Sequence, residues 1–165
     1  MNNIYTINYK SEIGLIEITG NEEGILTLDF IDKNGNKKYK PDFNSGKLPP
    51  LLKECLKQLD EYFKGERIKF KLPLILDGTE FQKKVWNQLS KIPFGKTNSY
   101  KDIAVKIGNN KASRAVGNAN NKNKIPLIIP CHRVIGSDKK PVGYARGVWR
   151  KEWLIEHESK TTQKN

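Results

Sequence analysis

Residues 79 to 121 read as three helices joined by turns of a few residues, which leaves few ways to fold them. Thr79-Glu80-Phe81-Gln82 has the layout of a capping box ahead of the stripe Phe81, Val85 and Leu89, and that helix stops near Pro93-Phe94-Gly95. Ser99 caps a second helix whose Tyr100, Ile103, Ala104 and Ile107 fall at i, i+3, i+4 and i+7, with Gly108 as its terminator. A turn over 109–111 leads into a third helix over 112–121. Its Ala112, Ala115, Val116 and Ala119 form a narrow stripe of small residues suited to close packing. Arg114, Gly117, Asn118 and Asn121 lie opposite, with no acidic residue among them. Helix, tight turn, helix is the arrangement that sets a second helix into a nucleic-acid groove. An arginine among glycine and asparagine lets a backbone approach phosphates and base edges. The plainer reading is a solvated arginine on an ordinary helix.

Charge separates the two halves of the chain. Residues 1 to 76 carry 12 Lys+Arg against 11 Asp+Glu, a net +1, so residues 77 to 165 hold 18 basic and 7 acidic residues and +11 of the +12 total. The second half should therefore face a polyanion, although a basic surface can also serve solubility alone. The first half reads as scaffold. From residue 3 to 30 the pattern is strand-like, with Leu26, Leu28 and Phe30 alternating against Thr27 and Asp29 and turns at Gly20-Asn21 and Gly24, which predicts an antiparallel meander. After a Gly/Asn/Lys/Pro-rich stretch over 33–50, Leu52, Cys55, Leu56, Leu59 and Phe63 mark an amphipathic helix ending at Gly65, with Cys55 a small buried hydrophobe. No apolar run approaches the ~18 residues of a membrane span, and the N-terminus lacks the layout of a signal peptide. A cytoplasmic protein with two free thiols, Cys55 and Cys131, is expected.

The chemistry concentrates in residues 125 to 136, Ile-Pro-Leu-Ile-Ile-Pro-Cys-His-Arg-Val-Ile-Gly, where a Cys-His pair follows a stiff apolar run bracketed by prolines. The thiolate is the reactive form, and at an unperturbed pKa near ~8.5 about 3% of a thiol is ionised at neutral pH. Lowering the pKa gains at most ~30-fold, so positioning and protonation of the leaving group must supply the rest. On an extended chain adjacent side chains point to opposite sides, so His132 should reach the Cys131 sulfur through a bridging water rather than directly. Glu158, at the end of the last helix, could orient the imidazole. The alternative is a buried cysteine beside a surface histidine.

Pro130-Cys131-His132-Arg133-Val134 within that segment is similar to the active-site signature of the O6-alkylguanine-DNA alkyltransferases, the methylated-DNA-protein-cysteine methyltransferases. Agreement extends over residues 79 to 158, through Phe94-Gly95-Lys96, Ser99-Tyr100, Arg114-Ala115-Val116-Gly117, Asn123, Gly143-Tyr144, Gly147, Lys151, Leu154 and Glu158. The resemblance implies an α+β chain: a small ribonuclease H-like α/β domain over 1–76, then a winged-helix-turn-helix DNA-binding domain over 77–165. It implies irreversible, single-turnover transfer of an alkyl group from O6-alkylguanine in double-stranded DNA to Cys131, after the damaged base is flipped out of the duplex. His132 would activate Cys131 through water, Glu158 would orient His132, Tyr100 would donate a proton towards the guanine, and Asn123 would organise the hinge before the active-site strand. Tyr144 would pack over the flipped base, with the backbone of Cys131, Val134 and Ala145 contacting its edge. Arg114 would take the place of the flipped nucleotide, and Ala115, Gly117, Asn118 and Asn121 would complete a minor-groove surface.

The chain departs from the family's pattern at Lys124, where many members have proline, and Arg146 and Trp149 add bulk near the loop bordering the pocket. Residues 1 to 76 contain no histidine and one cysteine, so no metal is expected, nor any cofactor, and the protein should act as a monomer. Residues 159 to 165 read as a polar, frayed tail. Two other functions stay open on the residues: a lesion-binding module without catalysis, against which Cys131 speaks, and a turnover hydrolase built on Cys131, His132 and Glu158.

Overall fold

The computed structural model describes residues 3–31, 48–138 and 143–164. The chain divides into two compact units, Met1–Leu76 and Asp77–Asn165. Among the described residues no helix is long and apolar enough to cross a membrane.

In the first unit, β1 (Tyr5–Ser11), β2 (Gly14–Gly20) and β3 (Ile25–Phe30) form an antiparallel meander in the order β1-β2-β3. Ile16, Ile18, Leu28 and Phe30 line its buried face. The expected alternation fails at Leu26, which is half-buried while Ile25 is fully buried. Thr19 faces Thr27 but Gly20 faces Ile25, so Leu26 is the extra residue of a bulge that shifts the strand's phase. The stretch over 33–50 lies outside the described residues as far as residue 47. Helix α1 (Pro50–Phe63) starts with proline at its first position, where a missing N–H loses no bond. It buries Leu52, Cys55, Leu59, Tyr62 and Phe63, whereas Leu56 is half-buried. Tyr9 of β1 stacks on Phe63 at 5.8 Å and donates to Asp60 at 3.2 Å, which fixes the helix on the sheet. Residues 73–75 then run beside β3, with Ile25 N donating to Pro73 O and Ile75 N to Ile25 O, both at 2.9 Å.

The second unit is built on α2 (Glu80–Leu89), α3 (Tyr100–Lys106) and α4 (Ser113–Asn121). Both capping boxes form, Thr79 with Gln82 and Ser99 with Asp102, so each helix starts where its sequence signal lies. Gly108 takes φ of +84°, which lets the chain leave α3 and re-enter α4 within a few residues. Helix α4 packs on both α2 and α3 through Ala112, Val116 and Ala119. Ala115 is exposed, contrary to the stripe read from its spacing. Buried Asn120 takes the inward place instead, because its amide has a partner there. Trp86 clamps α2 to the end of α4 by donating from Nε1 to Ala119 O at 2.8 Å.

Past α4, a 3₁₀ turn over Cys131–Arg133 leads into β5 (Val134–Ile135), which pairs in parallel with β4 (Asn98–Ser99) directly before α3. Helix α5 (Val148–Lys164) closes the unit. It does not end at Glu158. Residues 159–164 continue the helix rather than fraying, with Thr161 and Thr162 hydroxyls donating to the carbonyls of His157 and Glu158 at 2.8 Å. Replacing Trp86 by phenylalanine keeps the ring and removes its buried bond, so Trp86→Phe is expected to lose about 1 to 2 kcal/mol in urea unfolding followed by circular dichroism.

Candidate active site

The turn that carries Cys131 is fixed from both sides. Asn123, fully buried, accepts from Ile125 N through Oδ1 at 3.0 Å and donates from Nδ2 to Ile129 O at 2.8 Å, and Ile129 O also receives Cys131 N at 2.8 Å. Leu127, at φ of +75°, is the one described non-glycine residue in the left-handed region, a strained geometry held by those bonds. The apolar run is therefore a tight turn rather than an extended strand. Where many members of the resembled family have proline, Lys124 instead pairs with Asp77 at 2.8 Å.

Cys131 is completely buried at the start of the 3₁₀ turn, so it and His132 do not alternate across a strand as expected. His132 Nε2 lies 2.6 Å from Glu158 Oε2, and its Nδ1 is buried without a hydrogen-bond partner among the described residues. Arg133 meets the same carboxylate with Nε to Oε1 at 2.8 Å and Nη2 to Oε2 at 3.2 Å, while Nη1 donates to Ile92 O at 2.7 Å. Gly95 N adds a long contact to Oε1 at 3.4 Å. Burial by itself pushes the Glu158 carboxyl up, but His132 and the Arg133 guanidinium overcome it and hold the group well below the usual carboxylate range.

Burial pushes the Cys131 thiol up, so the resting sulfur is protonated rather than a preformed thiolate. Four groups pull the other way: the Arg146 charge, the Asn123 amide, the Tyr144 hydroxyl and the Lys151 charge. Lys151 is itself fully buried, with Nζ 5.8 Å from the Tyr100 ring centre and 6.0 Å from that of Tyr144, and burial lowers its pKa to about 8. Tyr100 is raised by burial and by the Cys131 charge. A Cβ added at Gly143 would lie 3.5 Å from its hydroxyl, so the phenol reaches the segment that carries Tyr144. Val134 is buried beside the turn, and Ala145 is exposed.

On the other side of Tyr100 an open groove of about 570 Å³ is lined by Arg114, Gly117, Asn118, Asn121, Tyr100 and Gly136, among others. The Tyr100 ring lies against Gly117, where a side chain would meet it at 3.7 Å. Arg114, Ala115, Asn118 and Asn121 are exposed on α4, and Arg114 makes no ion pair among the described residues. A second open groove, of about 610 Å³, runs along α5 beside Thr97 and Ile135 and is lined by no cysteine or histidine.

Sequence reasoning assigned no role to Arg133, Asn120 or Arg146. Arg133 anchors Glu158, Asn120 Nδ2 donates to Cys131 O at 3.3 Å, and Arg146 Nη2 donates to Asn123 O at 2.5 Å. Their partners lie 25, 11 and 23 residues away, so no local pattern signals them.

A buried thiol, a His-carboxylate pair and a basic helix-turn-helix define a DNA-binding protein with a cysteine nucleophile. Residues 80–160 match the model of the 6-O-methylguanine DNA methyltransferase DNA-binding domain, and residues 4–76 that of the ribonuclease-like domain. A methylated-DNA-protein-cysteine methyltransferase of Methanosarcina acetivorans is 46% identical over 155 residues, covering 94% of this chain and 98% of its own. The crystal structure of the Mycobacterium tuberculosis O6-methylguanine methyltransferase superposes with a TM-score of 0.83 at 38% identity, over 96% of this chain and 94% of that one. A complex of the same Mycobacterium tuberculosis protein with DNA gives 0.83 and 38% over 94% and 93%. The chain belongs to the 6-O-methylguanine DNA methyltransferase family, which makes it a methyltransferase of DNA repair.

The Glu158 geometry fixes a pH dependence. Its folded carboxyl ionises below an unfolded glutamate, so this contribution to stability is complete above about pH 4.3 and drains as pH falls towards the folded value. Glu158→Gln should lower stability at neutral pH by about 3 to 5 kcal/mol, because buried Arg133 loses its counter-charge. Its urea midpoint should fall less steeply than the native protein's between neutrality and about pH 3, as judged by circular dichroism.

Proposed function

We propose that the protein removes the alkyl group from O6-alkylguanine in double-stranded DNA by transferring it to Cys131, once per molecule. The carrying observation is that Cys131 is completely buried. Such a sulfur cannot reach a base inside the stack, which favours a base swung out of the duplex. Tyr144 and Asn123 act on the Cys131 thiol, the open groove is lined by Arg114, and Tyr100 both lines that groove and interacts with Cys131.

In this reading residues 77–165 carry DNA binding and chemistry, and residues 1–76 serve as scaffold. Arg114 inserts from the minor groove in place of the flipped nucleotide, flanked by Ala115, Gly117, Asn118 and Asn121. Tyr144 packs over the base, and the backbone of Cys131, Val134 and Ala145 meets its edge. His132 takes the thiol proton through a water at Nδ1, since Nε2 is committed to Glu158. The sulfur attacks the alkyl carbon in line, the carbon–O6 bond breaks, and Tyr100 protonates the departing guanine. A thioether and unmodified guanine result. Nothing in the site offers a nucleophile to cleave the thioether, so the protein is consumed as it repairs. It would work as a cytoplasmic monomer, and its DNA affinity would fall with salt as counterions are released.

Intact-mass and peptide mapping after incubation with duplex containing one O6-methylguanine test the reading. One methylene gain on the Cys131 peptide, saturating at one equivalent, is expected. Cys131→Ala should bind the duplex and leave the lesion intact. Binding without mass gain would make the protein a recognition module, and repeated lesion loss without modification a turnover enzyme.

A further inference from the structure

Two buried cations flank the Cys131 sulfur, and they differ in the pH range over which they keep their charge. Lys151 belongs to α5 and stands against the Tyr100 and Tyr144 rings. Arg146 lies in the segment before α5 with 7% of its surface exposed. Its Nη2 donates to Asn123 O at 2.5 Å, and its own carbonyl accepts Arg150 Nη1 at 2.9 Å. Asn123 is the residue whose side chain closes the turn beneath Cys131. One guanidinium thus bonds to the main chain of the Asn123 turn, and its fixed positive charge acts on the Cys131 sulfur.

We propose that Arg146 is a positioning residue for the nucleophile: it ties the 143–147 segment to the Asn123 turn and supplies the permanent cation that steadies the Cys131 thiolate. The inference rests on Cys131 being the acceptor for its consequence, but not for its test. The groups facing the sulfur are Tyr100 from α3, Asn123 from the turn, Tyr144 and Arg146 from the segment before α5, and Lys151 from α5. His132, next in the chain, is turned to Glu158 and Arg133. Tyr100 is neutral at moderate pH. Lys151, lowered to about 8, loses its charge over the range in which a thiol ionises, whereas a guanidinium stays charged throughout. Arg146 is accordingly the cation still present when the proton leaves. Lysine cannot copy it fully, because a buried ammonium is more readily discharged and lacks the guanidinium's planar array of donors.

The test is a pH titration of the Cys131 β-carbon NMR shift in the full chain, with Cys55, pushed up to about 12, as a separate signal. Arg146→Gln should raise the Cys131 midpoint by about one pH unit or more, and Arg146→Lys should move it by less than half as much. Methyl transfer from an O6-methylguanine duplex, followed as mass gain at saturating DNA, should slow about tenfold in Arg146→Gln below the thiol midpoint and converge with the native rate above it. An unchanged midpoint in Arg146→Gln overturns the proposal, as do equal shifts in the two variants, which would assign the effect to packing. If native protein fails to methylate Cys131 while the midpoints shift as expected, the acceptor assignment fails and the electrostatic role of Arg146 stands.

Discussion

Glu158 is nearly inaccessible to solvent, and an isolated carboxylate in that position would be costly enough to take up a proton. It stays ionised because Arg133 grips both oxygens and His132 meets one of them, with Gly95 N nearby. These donors come from the nucleophile's turn and the loop before β4, while the acceptor comes from α5. The same contact therefore packs α5 onto the turn, fixes the imidazole's orientation and commits its Nε2, leaving Nδ1 for proton traffic. The continuation of α5 to Lys164 follows from this role. A carboxylate that must hold three elements in register is better placed in mid-helix than in a frayed last turn.

The groove along α4 and the Cys131 thiol are linked through Tyr100, the first residue of α3. Its position is set by the Ser99–Asp102 capping box, and its ring rests on Gly117 of α4. Parallel pairing of β4 with β5 joins the start of α3 to the chain leaving the Cys131 turn. A displacement of α4 would thus be felt at the phenol. The pairing is short, two residues on each strand, so most of the rigidity comes from Trp86, Val116 and Ala119 beneath it.

Features encoded within a few residues were legible in the chain. The Thr79–Gln82 capping box, the Ser99 cap, the glycine that ends α3, the antiparallel meander and the Cys131–His132 signature each depend on neighbours in sequence. Features that depend on distant partners were not. Arg133 looked like one more basic residue because its carboxylate is 25 positions away, and Arg146 looked like bulk because its acceptor is a main-chain carbonyl. Leu26 misled for a different reason: alternation assumes an unbroken register, and the bulge at Thr19/Gly20 breaks it without any local signal. Ala115 shows the same weakness on a helix, since alanine fits an apolar stripe and an exposed surface equally well.

A thiol that burial keeps protonated is a poor nucleophile towards solutes, and if the reaction consumes it, as proposed, that is an advantage. The groups that oppose burial, Arg146, Asn123, Tyr144 and Lys151, lower the energy of the thiolate without making it the resting form. On the proposed route, deprotonation would pass to His132 once a bound base excludes the remaining water, because attraction between charges grows as the local dielectric falls. The surplus positive charge of residues 77–165 acts at longer range, drawing DNA towards this domain before any of this begins. On the proposed mechanism reactivity would be conditional on the arrival of DNA and on a base reaching Cys131, two steps that ordinary cellular alkylating agents do not perform.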